Sequence, residues 1–470
     1  MSDNTDDKKM LTKEHLEVVK SNGHEAVRAL VQSQSDAKST LFILENLGRL
    51  PNNFDVKWVL NLLNSDNQKI RLNAVKTLGK TKQEAGIGIL FKIAKTDPST
   101  NVRREAVSAL GRMKSKKTVK ALSEFLIDED PKVVSQAIRG LLVFKGDQAV
   151  DAMLTSLSQH ENETIQAVIK KAYFSSKKTS KDKLEHRKCY DYLKNVVVFG
   201  DVRNTLKEIP DESFHLTFTS PPYYNARDYS IYPSYKSYLS FLKEVFKLTH
   251  DKTKEGRFLI VNTSPVIVAR ISRQHSSKRH PIPFDLHHAL TAIGWEFIDD
   301  IVWVKPEASV KNRNAGFLQH RKPLAYKPNA RTEYLMVYRK QTDKLIDWNI
   351  KQYDWQTVQS SKVADNYESS NVWEIDPTFN KVHSAVFPFE LCKRVIEYYS
   401  FKGDLVFDPF AGSGTFGRTA KHLDRRFFLT EANEEYFEYM KTFVKKNDYE
   451  LLGEAPTNFL TIQEFKKRIK

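Results

Sequence analysis

The chain has 470 residues, 40% of them hydrophobic, which is enough for two or three domains with sizeable cores. Its formal charge of +16 favours a polyanionic partner such as nucleic acid. Two cysteines without disulfide or metal spacing (Cys189, Cys392), no signal peptide and no apolar run near the ~18 residues of a membrane span exclude a secreted disulfide scaffold and a membrane protein.

Residues 1–9 are polar and charged, and an internal repeat follows. Ile70-Arg71-Leu72-Asn73-Ala74-Val75, ending in Leu78-Gly79, matches Val102-Arg103-Arg104-Glu105-Ala106-Val107, ending in Leu110-Gly111. Val133-Val134-Ser135-Gln136-Ala137-Ile138 with Gly140-Leu141 is a third copy, and weaker outer copies lie near Phe42 and Ile165. The period of about 31 residues is the length of a helix–turn–helix solenoid unit. Asp66, Asp97-Pro98 and Asp130-Pro131 recur where a cap and a helix-compatible proline belong. The small alanine in each second helix lets neighbouring helices approach. The pattern over 38–173 resembles HEAT-like repeats, which implies an all-α solenoid for residues 1–174. Arg71, Arg103, Arg104 and Arg139 recur on the same helices, either as a solvated face or as a strip for DNA or a protein partner.

Residues 175–192 turn polar and lysine-rich and read as a basic linker. From Val196 the pattern alternates strand and helix. Seven strands are expected, at 196–201, 214–219, 257–261, 297–304, 334–338, 405–407 and 426–430, with helices at 238–248, 283–293 and 387–399. Such alternation predicts an α/β domain over 193–470, a mostly parallel sheet with ligands at the strands' carboxyl ends.

Two stretches carry the chemistry. The buried strand 214–218 ends in Thr219-Ser220-Pro221-Pro222-Tyr223-Tyr224. Proline fixes φ and removes a donor, so this corner presents fixed acceptors beside a flat ring, which suits a planar base bearing an exocyclic amine. Taken alone it also reads as a strand terminator followed by exposed tyrosines. The second stretch is Val406-Phe407-Asp408-Pro409-Phe410-Ala411-Gly412-Ser413-Gly414-Thr415, a short strand, an acid and a glycine turn entering a helix. Gly412, Gly414 and Gly417 fit G-x-G-x-x-G, and Glu431 ends the next strand where a ribose-binding acid is expected. A nicotinamide dinucleotide is the rival ligand. Asp408 would repel its pyrophosphate, however, and a dehydrogenase has no use for a Ser-Pro-Pro-Tyr corner. A cationic cofactor suits Asp408 better.

Together, and in this order, the two motifs resemble the circularly permuted beta group of S-adenosylmethionine-dependent DNA amino-methyltransferases, over about 194–446. Gly200-Asp201, Gly294-Trp295, Thr332-Glu333-Tyr334 and the segment from His383 to Leu391 agree with it. The resemblance implies a Rossmann-like domain with a permuted seven-stranded sheet. It assigns the methionyl part of S-adenosyl-L-methionine to Asp408, Phe410, Gly412 and Gly414, its ribose to Glu431, its adenine to Asp201, and a flanking role to His383. Ser220, Pro221, Pro222 and Tyr223 become the catalytic corner. Hydrogen bonds from the amine to Ser220 Oγ and the Pro221 carbonyl would aim its lone pair at the methyl, and Tyr223 would stack on a flipped base. No metal is implied. Carbon-5 methylation needs a cysteine in a Pro-Cys setting, which neither cysteine has.

The family's recognition region falls on about 340–371, which is short here. The basic loop over 305–331 is expected to share that role, with Lys311, Arg313, Arg321, Lys322 and Lys327 on phosphates. These readings predict a double-stranded DNA methyltransferase of a prokaryotic or phage-type cytoplasm, associated with the nucleoid. Its target is cytosine N4, because adenine enzymes of the family more often carry Asp or Asn in place of Ser220. It would serve as the modification half of a restriction system. Adenine N6, RNA or a small amine as substrate, and a repeat scaffold with a vestigial methylase, are the alternatives.

Overall fold

The computed structural model describes residues 11–48, 55, 57–174, 186–224, 232–268, 274, 278–309, 323, 330–378, 386–446 and 456–469. The chain divides into two compact units, Met1–Lys177 and Lys178–Lys470. Among the described residues no helix is long and apolar enough to cross a membrane.

In the first unit every described element is helical. Helices Gln68–Lys80, Thr100–Met113 and Pro131–Leu141 bury Ala74, Ala106 and Ala137 in one continuous core. Two of them approach closely at a pair of glycines, where a Cβ added to Gly140 would lie 2.8 Å from the Gly111 Cα. Asp130 caps its helix as expected, accepting from the Lys132 N–H at 2.9 Å with Pro131 in the first turn. The other two acids do not cap. Asn67 rather than Asp66 caps the first of these helices. Asp97 instead takes both arms of the Arg71 guanidinium from the preceding repeat, at 2.9 and 3.1 Å. Arg104 makes the corresponding bridge to Asp130 at 2.6 Å, and Arg103 donates to the Asp97 carbonyl at 3.0 Å. Three of the four recurring arginines are therefore committed to ties within the solenoid, and Arg139 stays exposed.

The second unit holds strands β1 (Val196–Phe199), β2 (Phe214–Thr219), β3 (Thr253–Thr263), β4 (Val266–Val268), β5 (Lys278–His280), β6 (Trp295–Val304), β7 (Thr332–Lys340), β8 (Val372–Glu374), β9 (Leu405–Asp408), β10 (Arg426–Glu431) and β11 (Asn458–Thr461). The main sheet has nine strands among the described residues, in the order β11-β1-β10-β9-β2-β3-β7-β6-β8, and β4 and β5 form a separate hairpin. The expected count of seven is corrected by β8 and β11. Each is only three or four residues long and joins an outer edge, too short to show a periodicity. Only β7 runs antiparallel to its neighbours, β3 and β6. Strands β1, β2 and β9 are buried along almost their whole length because helices cover both faces.

The topology brings the two chemical motifs together. β9 pairs in parallel with β2 on one side and β10 on the other, so the corner, the glycine turn and Glu431 share one sheet edge. Phe214 stacks on Phe407 across the β2–β9 pair, with centroids 4.4 Å apart.

One expectation is corrected at the opposite edge, and a second segment begins there. Residues 186–192 are packed into this unit rather than forming a linker: His186 is buried, and its carbonyl lies 3.0 Å from His215 Nε2. The supposed recognition element at 340–371 starts at the edge away from the corner, because antiparallel β7 delivers the chain to the start of β3. There Asn349 contacts Arg339 and the Glu255 carbonyl, and Tyr353 donates to Asp404 at 2.5 Å. Asp404 is in turn ion-paired with buried Arg257.

Candidate functional site

The glycine turn is built by its two acids. Thr219 Oγ1 at the end of β2 donates to Asp408 Oδ1 at the end of β9, at 2.6 Å, and both residues are buried. The Phe410 N–H also donates to Asp408 Oδ1, at 3.0 Å. Glu431 accepts from the Gly412 N–H at 2.7 Å and the Asn433 N–H at 2.8 Å. Gly412 and Gly414 have φ of +53° and +72°, the left-handed conformations this turn requires. Gly417 is needed for packing, since a Cβ there would lie 2.7 Å from Leu429 Cδ1. Burial raises the pKa of Asp408 to about 7, and the nearby Glu431 charge adds to the shift. Burial likewise pushes Glu431 up to about 7 against its backbone hydrogen bonds.

This cradle fits a cationic, hydroxyl-bearing ligand. A positive charge beside Asp408 would restore its ionised form, and each Glu431 oxygen keeps a lone pair for a ribose hydroxyl. It does not fit a pyrophosphate, because the N–H groups of Phe410 and Gly412 already donate to carboxylates.

The corner carries a network that the sequence did not announce. Asn262, next to Ser220 across the β2–β3 pair, is buried and donates from Nδ2 to Glu333 Oε2 at 2.6 Å. The same Nδ2 lies 3.5 Å from Ser220 Oγ. Tyr223 donates its phenol to Glu333 Oε2 at 3.1 Å. Burial and the Glu333 charge raise the Tyr223 pKa, so the phenol stays protonated. Lys305 closes the group with an ion pair to Glu333, and its ammonium lies 4.4 Å above the Trp303 ring. Lys305, at the head of the basic loop, is thus engaged inside the site. Tyr224 belongs to the core against Tyr235, Tyr238 and His280. Asn262 was missed because a lone polar residue after Leu-Ile-Val looks like an ordinary strand end. The only sign of Glu333 was its place in Thr332-Glu333-Tyr334.

Asp201 caps helix Val202–Leu206 and pairs with Arg203 at 2.7 Å. It follows Gly200, whose N–H donates to the Glu431 carbonyl at 2.9 Å, and so flanks the cradle. His383 and the loop residues Lys311, Arg313, Arg321, Lys322 and Lys327 lie outside the described residues. The stems of that loop leave the sheet beside Glu333, where the Lys305 N–H donates to the Arg331 carbonyl at 2.8 Å. Neither cysteine faces the corner as a nucleophile. Cys392 lies buried in helix Phe389–Tyr399, and burial pushes the Cys189 thiol up to about 11.

Residues 214–442 match the N6/N4 DNA methylase family, and residues 87–173 match HEAT repeats. The chain is 30% identical to the type II methyltransferase M.Cfr9I of Citrobacter freundii over 296 residues, 56% of this chain and 91% of that protein. It is 26% identical to the type II beta methyltransferase M.BslI of Bacillus sp. over 252 residues, 52% of this chain but only 26% of that larger protein. A solved structure from Thermus thermophilus, described as a DNA modification methylase and complexed with S-adenosyl-L-methionine, aligns with 57% of this chain and 97% of its own. Its TM-score is 0.46 and its identity 24%.

Proposed function

The chain belongs to the N6/N4 DNA methylase family, whose cofactor is S-adenosyl-L-methionine, and we propose that it methylates the exocyclic amine of a flipped-out base in double-stranded DNA, with cytosine N4 as its target. The observation that carries the reading is the 2.6 Å bond from Thr219 to Asp408, which joins the amine-binding corner to the cation-binding turn. The bound cofactor supplies an electrophilic methyl group on a sulfonium. Asp408, the Gly412–Gly414 turn and Glu431 would hold it, with Phe410 and Asp201 flanking.

The chain's own residues then act on the amine. Its lone pair is delocalised into the ring, which makes it a poor nucleophile. Ser220 Oγ and the Pro221 carbonyl accept from its two N–H bonds, turning the nitrogen toward sp³ and the lone pair toward the methyl. Positioning of this kind supplies most of the rate. The half-buried Tyr223 ring, anchored through its phenol, offers a face for the extruded base. Lys311, Arg313, Arg321, Lys322 and Lys327 on the adjoining loop would neutralise DNA phosphates.

The cytosine target rests on Ser220. A neutral hydroxyl both accepts and donates, so it can serve an amine beside a ring nitrogen where a carboxylate only accepts. Relatives named as type II methyltransferases favour a place as the modification component of a restriction system. The test is transfer of labelled methyl to unmethylated genomic DNA, followed by mass analysis of the nucleosides. N4-methylcytosine is expected. Label only in N6-methyladenine would move the target to adenine, and label absent from DNA would refute the reading.

A further inference from the structure

The small hairpin β4–β5 takes no part in the chemistry above, yet it grows out of the corner. β3 carries Asn262 beside Ser220, ends at Thr263, and is followed by β4 from Val266. In the sheet β3 lies between β2, which bears the corner, and β7, beside which the basic loop leaves. The foot of the hairpin is fixed to the corner's own aromatic residues. Val266 is buried in the cluster that holds Tyr224 and against which Tyr223 packs. Its register partner is His280, whose buried ring lies 5.0 Å from Tyr224 and 4.2 Å from Tyr235.

Beyond this foot the ribbon is bare and basic. Lys278 pairs with Val268, and Arg279 pairs with Ile267. Consecutive residues of a strand point to opposite faces, and Lys278 and Arg279 are both exposed. The rest of the chain therefore covers neither face of the ribbon at these two positions. No acid occurs in the sequence between Val266 and Phe284. The first one after it, Asp285, is turned to the foot, where it accepts from the Tyr235 phenol at 2.7 Å. An isolated two-stranded hairpin has little stability of its own, so a bare one held by its foot suits a partner that covers it. Cations on both faces call for a polyanion, and the major groove of DNA admits a two-stranded ribbon.

Resting on the methyl-transfer reading above, we propose that the β4–β5 ribbon contacts duplex DNA beside the target base, with Lys278 and Arg279 on backbone phosphates. Extrusion of a base requires that the duplex around it be held, and phosphate contacts fix its register and orientation. A ribbon seated on Tyr224 and Tyr235 is fixed to the corner itself. The phosphates it holds are thereby placed relative to Ser220 and Tyr223, whatever the basic loop does on the neighbouring strands. His280, buried between those tyrosines, anchors the ribbon and does not reach the DNA.

Lys278→Gln and Arg279→Gln remove the charge and keep much of each stem. Filter binding of sheared, unmethylated genomic duplex at salt concentrations from about 50 to 200 mM gives the slope of affinity against salt. Each substitution should flatten that slope by about one unit, and the pair by about two. The control pair, Lys247→Gln with Lys351→Gln, removes the same charge from two exposed lysines. One lies in the second half of helix Tyr235–Lys252 and the other follows helix Ile346–Ile350, beyond β7. The control slope should stay within about half a unit of the parent. Calorimetric affinity for S-adenosyl-L-methionine should match the parent in every variant. A parental slope in the ribbon pair, equal flattening by the control pair, or an equal loss of cofactor affinity would each overturn the ribbon's role and leave methylation standing. A parent chain that transfers no methyl to DNA would overturn both this inference and the function it rests on.

Discussion

Asp408 and Glu431 end neighbouring parallel strands, and the charge of one opposes the ionisation of the other. Burial is the larger cause, and both carboxyls titrate near 7 in the free protein. Because both are raised, they contribute stability below the ordinary carboxyl range and lose it as pH rises through about 7. A bound sulfonium has the opposite preference, since it favours the ionised pair. The rise in melting temperature caused by S-adenosyl-L-methionine should therefore be larger at pH 7.5 than at pH 6, with a Kd several-fold lower. An increment independent of pH would remove Asp408 from the cofactor's charge.

Thr219→Val is nearly isosteric and deletes the donor that favours ionised Asp408. A hydrogen bond to a charged group contributes about 1.5–3 kcal/mol, so calorimetry should show cofactor affinity weakened by roughly tenfold or more. The far-ultraviolet spectrum should not change. Parental affinity would show that the bond connects the two strands without tuning the acid.

In the repeats, Gly140→Ala should destabilise the first unit by about 1–3 kcal/mol, because the new methyl meets the Gly111 backbone, which cannot turn away, as well as the Leu122 side chain. Gly88→Ala is the control. It lies in helix Gly86–Thr96 with nothing within 4 Å of an added Cβ, and should stabilise by up to about 1 kcal/mol. Thermal unfolding of the whole chain separates the two outcomes.

Arg71→Met and Arg104→Met should each lower stability by about 1–3 kcal/mol by leaving Asp97 or Asp130 without its main partner. The slope of DNA affinity against salt should stay as in the parent. Arginines bound to phosphate would instead flatten it by about one unit per residue lost.

The strand–helix alternation, the repeat and both chemical motifs were legible because each leaves a local pattern: apolar runs, a period, a proline pair, spaced glycines. What escaped depends on register. Nothing local to Asn262 shows that it sits beside Ser220, and Glu333 reaches Tyr223 only because β7 turns antiparallel at that edge. The same reversal makes 340–371 start at the far edge of the sheet and return to the corner's edge only at Asn371, a path that a family's usual order of segments does not state. Arg71 and Arg104 could be read only as a solvated face or a binding strip, because a recurring charge has the same pattern whether it faces solvent or the next repeat.

The position of β9 also bears on how the molecule is made. It lies between β2 and β10, yet it comes near the end of the chain. Until residues 405–431 have left the ribosome, β10 and β9, the two strands between β1 and β2, are missing, and the edge of β2 that will receive β9 stays open. The cradle for the cofactor therefore closes last, after the corner and its Glu333 network have their strands in place. Assembly of this kind relies on distant contacts and is slow, with an unpaired strand edge exposed to other chains meanwhile. A nascent chain short of Glu431 is thus a half-sheet that cannot yet hold a methyl donor.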